Sequence, residues 1–265
     1  MFEELKPHII ELRKRLMIAA LAVLVGLLAA FAFWEDIMFW ITQPLSSAVC
    51  SSGVSLSGVL GEFDASTLCA DKGSMITTSV VEGLFTAFKI SFFAGLTIAL
   101  PIIFWQLWLF IAPGLYDNEK KYVLPFVFFA TLMFLGGFLF CYYIVLPMSL
   151  NFAIYFGKGI FVYIPKTTEY IDFFLKFTFA FSLSFELPVI SLFLAKINFI
   201  TDKTLKDFFR YAVVLIFVFA AIITPPDVIS QILMAIPLLL LYGLSILMAH
   251  LVNPYKEEDK KNTDA

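Results

Sequence analysis

Long apolar blocks alternate with short polar segments along most of this chain. Six blocks are candidate membrane spans, with approximate bounds 16–34, 80–109, 122–146, 171–195, 209–223 and 228–251. A helix that crosses a membrane needs about 20 residues at 1.5 Å per residue. The fifth block has only about 15 residues, so we expect the bilayer to thin around it or neighbouring helices to cover its ends.

The blocks are predicted to be helices, because backbone polar groups in lipid have to bond within their own segment. Pro101 interrupts the second block, Pro147 ends the third and Pro188 lies within the fourth. We expect kinks at Pro101 and Pro188, since proline removes a backbone donor. The pattern therefore predicts an all-α membrane protein with one domain over 1–255 and a polar tail over 256–265.

Composition and charge add an orientation to this picture. The chain is 61% hydrophobic and 15% charged, whereas a soluble domain is nearer half apolar and a quarter charged. Of the 18 basic residues, 13 fall in alternate segments that include both termini: Lys6, Arg13, Lys14, Arg15, Lys120, Lys121, Lys196, Lys203, Lys206, Arg210, Lys256, Lys260 and Lys261. Cytoplasmic loops are enriched in Lys and Arg, so both termini are predicted to be cytoplasmic.

Two inner segments carry charges that could bind a ligand. The first holds Glu11, Arg13 and Arg15, and the i,i+4 spacing of Glu11 and Arg15 predicts an ion pair worth about 0.2–0.5 kcal/mol. Taken alone, this segment is typical of a topology anchor. The second has a turn around Pro113 followed by Glu119. That carboxylate either caps a helix or offers negative charge to a cationic peptide.

Glu186 is the most unusual residue, because it lies in the middle of the fourth block. An ionisable group there costs about 2.5–3.5 kcal/mol on insertion scales and is a functional candidate by default. It faces a cavity or another helix, or it is protonated, and the structural alternative is a hydrogen bond between helices. Gln231, early in the sixth block, and Lys89, in the second, add further polar groups within the spans.

The sequence offers no catalytic or metal-binding motif. It contains no HExxH, no GxSxG, no P-loop and no dinucleotide fingerprint. Cys50, Cys69 and Cys141 lack the spacing of a metal site. We therefore expect no enzymatic activity, no metal, no cofactor and no nucleic acid partner. Cys50 and Cys69 flank a polar outer loop, where we expect a disulfide, with two unpaired thiols as the alternative.

Four motifs, in order along the chain, resemble the TatC family of twin-arginine protein translocase subunits. They are HIIELRKRL at 8–16, QLWLFIAPGLYDNE at 106–119, FELP at 185–188 and TPPDVISQ at 224–231. The match extends from about residue 5 to residue 255, with six spans and both ends inside. Each motif is weak alone, but several in register are specific.

The resemblance implies a concave, glove-like bundle of six helices that receives export signal peptides. It implies that Glu11 and Glu119 help to form the cytoplasmic site for the paired arginines, with Arg13, Phe110 and Pro113 shaping the surface. Carboxylates suit this role because they form charge-assisted, often bidentate bonds to guanidinium groups. The proton-motive force or a partner would then supply the energy for export.

The resemblance also implies partners and a compartment. Glu186 would contact the transmembrane helix of a partner, and Gln231 would contribute to contacts with TatA-type and TatB-type single-span proteins. The complex would be oligomeric and lie in the lipid of the bacterial cytoplasmic membrane. Pro44 and Asp227 match family positions on the outer side, although Asp227 is equally well explained as a cap of the sixth helix.

The sequence departs from the family pattern at two points, and one other class of function stays open. The first outer loop is long, and Gly243 stands where the family commonly has a glutamate. The other class is an ion-coupled secondary transporter that uses Glu186 and Gln231. Transporters usually show internal repeats, and the two halves of this sequence show none. The inner carboxylates, together with the family resemblance, favour the receptor.

Overall fold

The computed structural model describes residues 2–51, 75–111, 123–156, 165–224 and 228–253, and the side chains in these ranges except those of 2–8, 50, 51 and 123. Over these residues the secondary structure is helical, apart from an isolated parallel bridge between Ile76 and Lys166. The helices are α1 (Phe2–Ala32), α2 (Trp34–Ser51), α3 (Glu82–Ile111), α4 (Val123–Phe140), a π-helical segment (Cys141–Val145), α5 (Leu146–Phe156), α6 (Thr167–Ser184), α7 (Glu186–Lys196), α8 (Asp202–Ile223) and α9 (Val228–Val252).

Five helical segments among the described residues are long and apolar enough to cross a membrane. They are Ile9–Ala32, Glu82–Ile111, Leu124–Phe156, Thr167–Lys196 and Val228–Val252. Helix α8 has 22 residues but begins with a charged stretch, as its short apolar block indicated. An all-helical architecture with five or six candidate spans is thus confirmed. The count of six, the orientation, the glove-like shape and the single domain stay predictions.

The chain divides into two compact units. The first comprises Met1–Val127 and Phe140–Thr178, and the second comprises Phe128–Leu139 and Phe179–Ala265. Helices α4 and α6 contribute residues to both units.

In the first unit, α1 and α3 come into direct backbone contact at two glycines. A Cβ atom on Gly26 would lie 2.6 Å from the carbonyl oxygen of Gly95, and one on Gly95 would lie 2.4 Å from the backbone nitrogen of Leu27. Carbon atoms pack at about 3.5–4.0 Å, so neither position has room for a side chain. Small residues allow helices in membranes to approach this closely.

Glu82, the first residue of α3, joins the beginnings of α3 and α6. Its Oε2 atom accepts hydrogen bonds from the backbone N–H groups of Thr78 (2.6 Å) and Ser79 (3.2 Å). Its Oε1 atom accepts from the backbone N–H (3.1 Å) and the hydroxyl (2.6 Å) of Thr168. A carboxylate at a helix N-terminus satisfies otherwise unpaired N–H groups. One side chain therefore holds the turn before α3 and caps α6, a role that the sequence did not indicate.

Helix α2 lies in the segment that we expected to be an outer loop over about 35–79. Its buried residues include Ile41, Leu45 and Ala48, and this i, i+4, i+7 spacing is typical of one helix face. The spacing was present in the sequence. This helix is not among the candidate spans, so hydropathy indicated only a connecting segment here, and the structure shows that its first part is helical.

The third predicted block ends too early, because the helix continues past Pro147 to Phe156. The residues before this proline form a π-helical turn, in which the N–H of Leu146 donates to the carbonyl of Cys141. A proline has no N–H and clashes with the carbonyl four residues earlier. The wider turn just ahead of Pro147 allows the chain to continue as α5.

The other two prolines have different outcomes. Helix α3 continues through Pro101 without interruption. The fourth block is divided at Phe185 into α6 and α7, so that Pro188 falls in the first turn of α7, where a missing N–H costs little. We expected a kink at Pro188, and the structure interrupts the helix at Phe185, three residues before it.

In the second unit, α9 packs against α7 and α8. The hydroxyl of Tyr242 donates to the carbonyl of Leu205 at 2.9 Å. Also in the first turn of α8, the buried Asp202 carboxylate contacts Lys206 Nζ (2.7 Å) and His250 Nδ1 (2.9 Å). Polar contacts thus fix the start of α8 to the end of α9.

Candidate functional site

Glu11 is presented on the surface of α1 near the beginning of the apolar part of that helix. Its side chain is 34% exposed, and its Oε1 atom lies 3.1 Å from Nη2 of Arg15. The i,i+4 ion pair expected from the sequence is therefore present. The carboxylate remains within reach of solvent, and no described residue hydrogen-bonds its Oε2 atom.

Arg15 links this carboxylate to α3. Its Nη1 atom donates to Oε1 of Gln106 at 3.4 Å, while Nη2 contacts Glu11. Its Nε atom is buried and has no hydrogen-bond partner among the described residues. The Gln106 residue is 9% exposed. The sequence did not single out Gln106, because only the packing of α1 on α3 brings it to a residue 91 positions away.

Arg13 lies on a different, mainly apolar part of α1. An open depression of about 430 Å³ on the surface of α1 is lined by Ile9, Leu12, Arg13, Leu16, Met17 and Ala20. An arginine beside apolar residues is typical of the membrane interface, where its stem packs on apolar atoms and its charge stays in water. Arg13 and Glu11 thus share a helix but differ in their contacts.

The remaining predicted signal-binding residues lie at or beyond the end of α3. Phe110 is half-buried in the last turn of that helix. Pro113 and Glu119 lie outside the described residues, which end at 111 and resume at 123. The structure therefore brings together Glu11, Arg15 and Gln106, and the part of the site assigned to Glu119 stays a prediction.

Glu186 begins α7 in the second unit and is only 4% exposed. Its Oε1 atom has no hydrogen-bond partner among the described residues. The nearby hydroxyl of Ser184 donates instead to the carbonyl of Ala180 at 2.6 Å. Unpaired buried polar atoms are uncommon because they lose hydrogen bonds to water without replacement. The structural alternative for Glu186 was a hydrogen bond between helices, and the structure shows no such bond at Oε1 from any described residue.

An apolar cavity lies beside this part of the second unit. Its volume is about 440 Å³, and it is lined by Leu183, Ser184, Leu187, Leu215, Ile216, Val218, Phe219, Ile222 and Leu238. Two of these residues, Ser184 and Leu187, flank Glu186 closely in sequence. The cavity therefore opens between α6–α7, α8 and α9, and Glu186 itself is not one of its lining residues.

Gln231 has a structural partner within its own unit. Its Nε2 atom donates to the carbonyl of Phe217 at 3.0 Å, so it ties the start of α9 to α8. This hydrogen bond explains an amide inside an apolar helix without a ligand, since a buried amide needs partners.

Pro44 is buried within α2, and its surroundings explain how a proline is accommodated there. Proline cannot donate to the carbonyl four residues earlier, which here is that of Trp40. The hydroxyl of Tyr142 donates to this carbonyl at 2.7 Å, and the hydroxyl of Tyr170 donates to that of Ile41 at 2.7 Å. Two tyrosines that the sequence did not indicate thus support α2 at Pro44.

Three other predicted residues cannot be placed in this way. Asp227, Cys69 and the side chain of Cys50 lie outside the described part of the chain. The disulfide between Cys50 and Cys69 and both readings of Asp227 stay predictions. Within the described residues, no group of His, Cys, Asp and Glu side chains has the arrangement of a metal site.

Comparison with known proteins identifies the family. A family model described as Sec-independent protein translocase protein (TatC) matches residues 7–237. The chain belongs to the TatC family. A TatC protein from Helicobacter pylori strain 26695 is 47% identical over 262 residues, covering 99% of this chain and 93% of the relative. One from Campylobacter jejuni is 48% identical over 263 residues, covering 99% of this chain and 100% of the relative.

A solved structure supports the same assignment. The crystal structure of a protein named twin arginine translocase receptor TatC superposes with a TM-score of 0.77 at 37% identity, covering 92% of this chain and 99% of the other. TatC proteins are components of a protein translocase, a transport role, which favours the receptor over a secondary transporter. Every residue nominated from the TatC resemblance lies within the matched range of 7–237.

Proposed function

We propose that this chain is the signal-peptide receptor subunit of a twin-arginine translocase in the bacterial cytoplasmic membrane. It binds the twin-arginine signal peptides of folded proteins and recruits TatA-type and TatB-type partners for export driven by the proton-motive force. Membership of the TatC family supports the translocase role. The receptor role is supported by the similar crystal structure, whose protein is called a receptor.

The observation that carries the proposal is the state of the Glu11 carboxylate. Its Oε1 atom already accepts a hydrogen bond from the guanidinium of Arg15, and the Glu11 side chain remains 34% exposed. Its site is therefore chemically suited to an arginine that arrives from solution. Glu119 supplies a second carboxylate, and Arg13, Phe110 and Pro113 complete the surface. A pair of carboxylates matches a pair of arginines in charge.

Export of a twin-arginine reporter protein tests this assignment. We expect Glu11→Gln to reduce export at least tenfold, because an amide has no negative charge and only one acceptor oxygen, so it cannot form the bidentate ion pair with a guanidinium. Glu35→Gln is the matched control, since it removes the same charge from an exposed position on α2 that the predicted topology places outside. Equal export by the two variants would contradict the site.

Glu186 is proposed to bind the transmembrane helix of a TatA-type or TatB-type partner. The support is its burial, its unpaired Oε1 atom and the apolar cavity lined by its sequence neighbours Ser184 and Leu187. A polar group on a partner helix could satisfy Oε1, which in lipid is worth about 1–2 kcal/mol in model peptides. Gln231 and the last two helices would contribute to the same contacts.

Co-purification with the partners tests this second role. We expect Glu186→Ala to lose partner protein while Glu186→Gln, which retains a polar group, keeps part of it. Ser149→Ala is the control, because Ser149 also has a buried hydroxyl without a described partner but lies in the first unit. If Glu186→Ala retains both its partners and export, the residue has a structural role instead.

A further inference from the structure

Arg15 places a guanidinium on the very carboxylate that the proposed function gives to the signal peptide. Nη2 of Arg15 lies 3.1 Å from Oε1 of Glu11, and Nη1 lies 3.4 Å from Oε1 of Gln106. The Arg15 side chain is 24% exposed. An arginine of the chain therefore occupies part of the proposed site before any ligand arrives.

The contact between Arg15 and Glu11 is incomplete. Arg15 reaches only one oxygen of the carboxylate, whereas guanidinium–carboxylate pairs are frequently bidentate. Nη1, which would form the second bond, is directed to Gln106 instead. A guanidinium that reaches both oxygens of Glu11 forms the stronger pair and can displace Arg15.

Gln106 provides a position for Arg15 after displacement. Its Oε1 atom already accepts from Nη1, and it belongs to α3, which the contact between Gly26 and Gly95 holds against α1. The displaced guanidinium keeps this hydrogen bond, so releasing Glu11 does not strand the charge of Arg15 without a partner. An exchange of one guanidinium for another is thus feasible within the same geometry.

We propose that Arg15 is an internal competitor for Glu11 that makes the site selective for arginine over lysine. The inference rests on the proposed function, because it requires Glu11 to bind the signal peptide. While Arg15 holds Glu11, an incoming ammonium meets a carboxylate that is already neutralised. A lysine is a point charge that lacks the planar fork of arginine, so it displaces Arg15 poorly.

Equilibrium binding of two labelled signal peptides to the full chain in lipid nanodiscs tests the proposal. One peptide carries Arg-Arg and the other carries Lys-Lys at the same positions. The variants are Arg15→Gln and Lys14→Gln, which remove equal charge from adjacent residues. Lys14 is exposed and has no role in the proposed site, so its variant measures the general effect of removing one positive charge.

We expect Arg15→Gln to bind the Arg-Arg peptide about two- to fivefold more tightly than Lys14→Gln does. That range corresponds to about 0.4–1 kcal/mol, the value of a partly exposed ion pair. The ratio between the dissociation constants of the two peptides should fall in Arg15→Gln and stay at the wild-type value in Lys14→Gln. Equal affinities of the two variants, or weaker binding by Arg15→Gln than by the wild type, would overturn the proposal.

Two further variants keep the result interpretable. Arg15→Lys retains the charge but competes less well, so it should also bind the Arg-Arg peptide more tightly than the wild type. If Arg15→Gln does not fold, Arg15→Lys replaces it in the test. Unchanged or weaker binding of the Arg-Arg peptide by Arg15→Lys would count against competition by Arg15. Glu11→Gln separates the two proposals: if it binds like the wild type, the site itself is wrong. If Glu11→Gln binds the Arg-Arg peptide weakly while Arg15→Gln and Lys14→Gln bind it with equal affinity, only the proposal that Arg15 competes for Glu11 is wrong.

Discussion

Replacing Gly95 with alanine tests the packing that holds the candidate site together. The added methyl group would lie 2.4 Å from the backbone nitrogen of Leu27 and 2.7 Å from the carbonyl carbon of Gly26. Both atoms are backbone, so no side chain can rotate away to relieve the overlap. The two helices have to separate, and the position of Gln106 relative to α1 changes with them.

The size of the effect follows from two opposing contributions. Overpacking of this kind costs about 1–3 kcal/mol, and a clash with backbone belongs at the upper end. Alanine favours a helix over glycine by about 1 kcal/mol. The net loss is about 2 kcal/mol, which corresponds to a melting temperature about 4–8 °C lower for a chain of this size.

Gly136→Ala is the matched control for this prediction. A Cβ atom at Gly136 would meet no atom within 4 Å, so only the helix preference acts, and the variant should be as stable as the wild type or more stable. Both variants are measured in a Cys50→Ser and Cys69→Ser background. Cys141, which is fully buried, then reports unfolding by its reaction with a thiol-specific dye.

A melting temperature of Gly95→Ala equal to or above that of Gly136→Ala would contradict this prediction. In that case α1 and α3 would not be in backbone contact, and the geometry that joins Arg15 to Gln106 would have no support. If the contact is correct, Gly26→Ala should also be destabilised, because its Cβ would lie 2.6 Å from the carbonyl oxygen of Gly95.

Two hydrogen-bonding residues give further predictions for stability. Glu82→Gln should lower the melting temperature more than Glu35→Gln does, because an amide cannot accept all the hydrogen bonds that reach both oxygens of Glu82. Tyr142→Phe should destabilise by about 1–2 kcal/mol, because it loses the bond to the carbonyl of Trp40 and keeps the ring stacking at 3.9 Å. Tyr143→Phe, at an exposed neighbouring tyrosine, should leave stability unchanged in the same thermal assay.

The sequence predicted the helices well where apolar length was the signal. Five of the six predicted blocks, the i,i+4 pair of Glu11 and Arg15 and the unusual burial of Glu186 could be predicted from spacing and hydropathy. Helix α2 was missed because it is not apolar enough to be a span, although Ile41, Leu45 and Ala48 are correctly spaced. The end of the third helix was missed because a local π-helical turn compensates for Pro147.

Contacts between distant parts of the chain could not be predicted. Gln106 meets Arg15 only because two glycines allow α1 and α3 to touch. Glu82 reads as an ordinary first-turn acid of one helix, and nothing in the sequence shows that it also caps α6. Pairings of this kind depend on which helices are neighbours, and one sequence contains no direct record of that.

Crosslinking to a twin-arginine signal peptide is the most direct test of the receptor role. A photoreactive peptide would be presented to the chain in membrane vesicles, and the yield compared between the wild type, Glu11→Ala, Glu119→Ala and the double variant. We expect Glu119→Ala to abolish the crosslink and the double variant to show none. A crosslink that persists in the double variant would contradict the assignment of these two carboxylates as the signal-binding site.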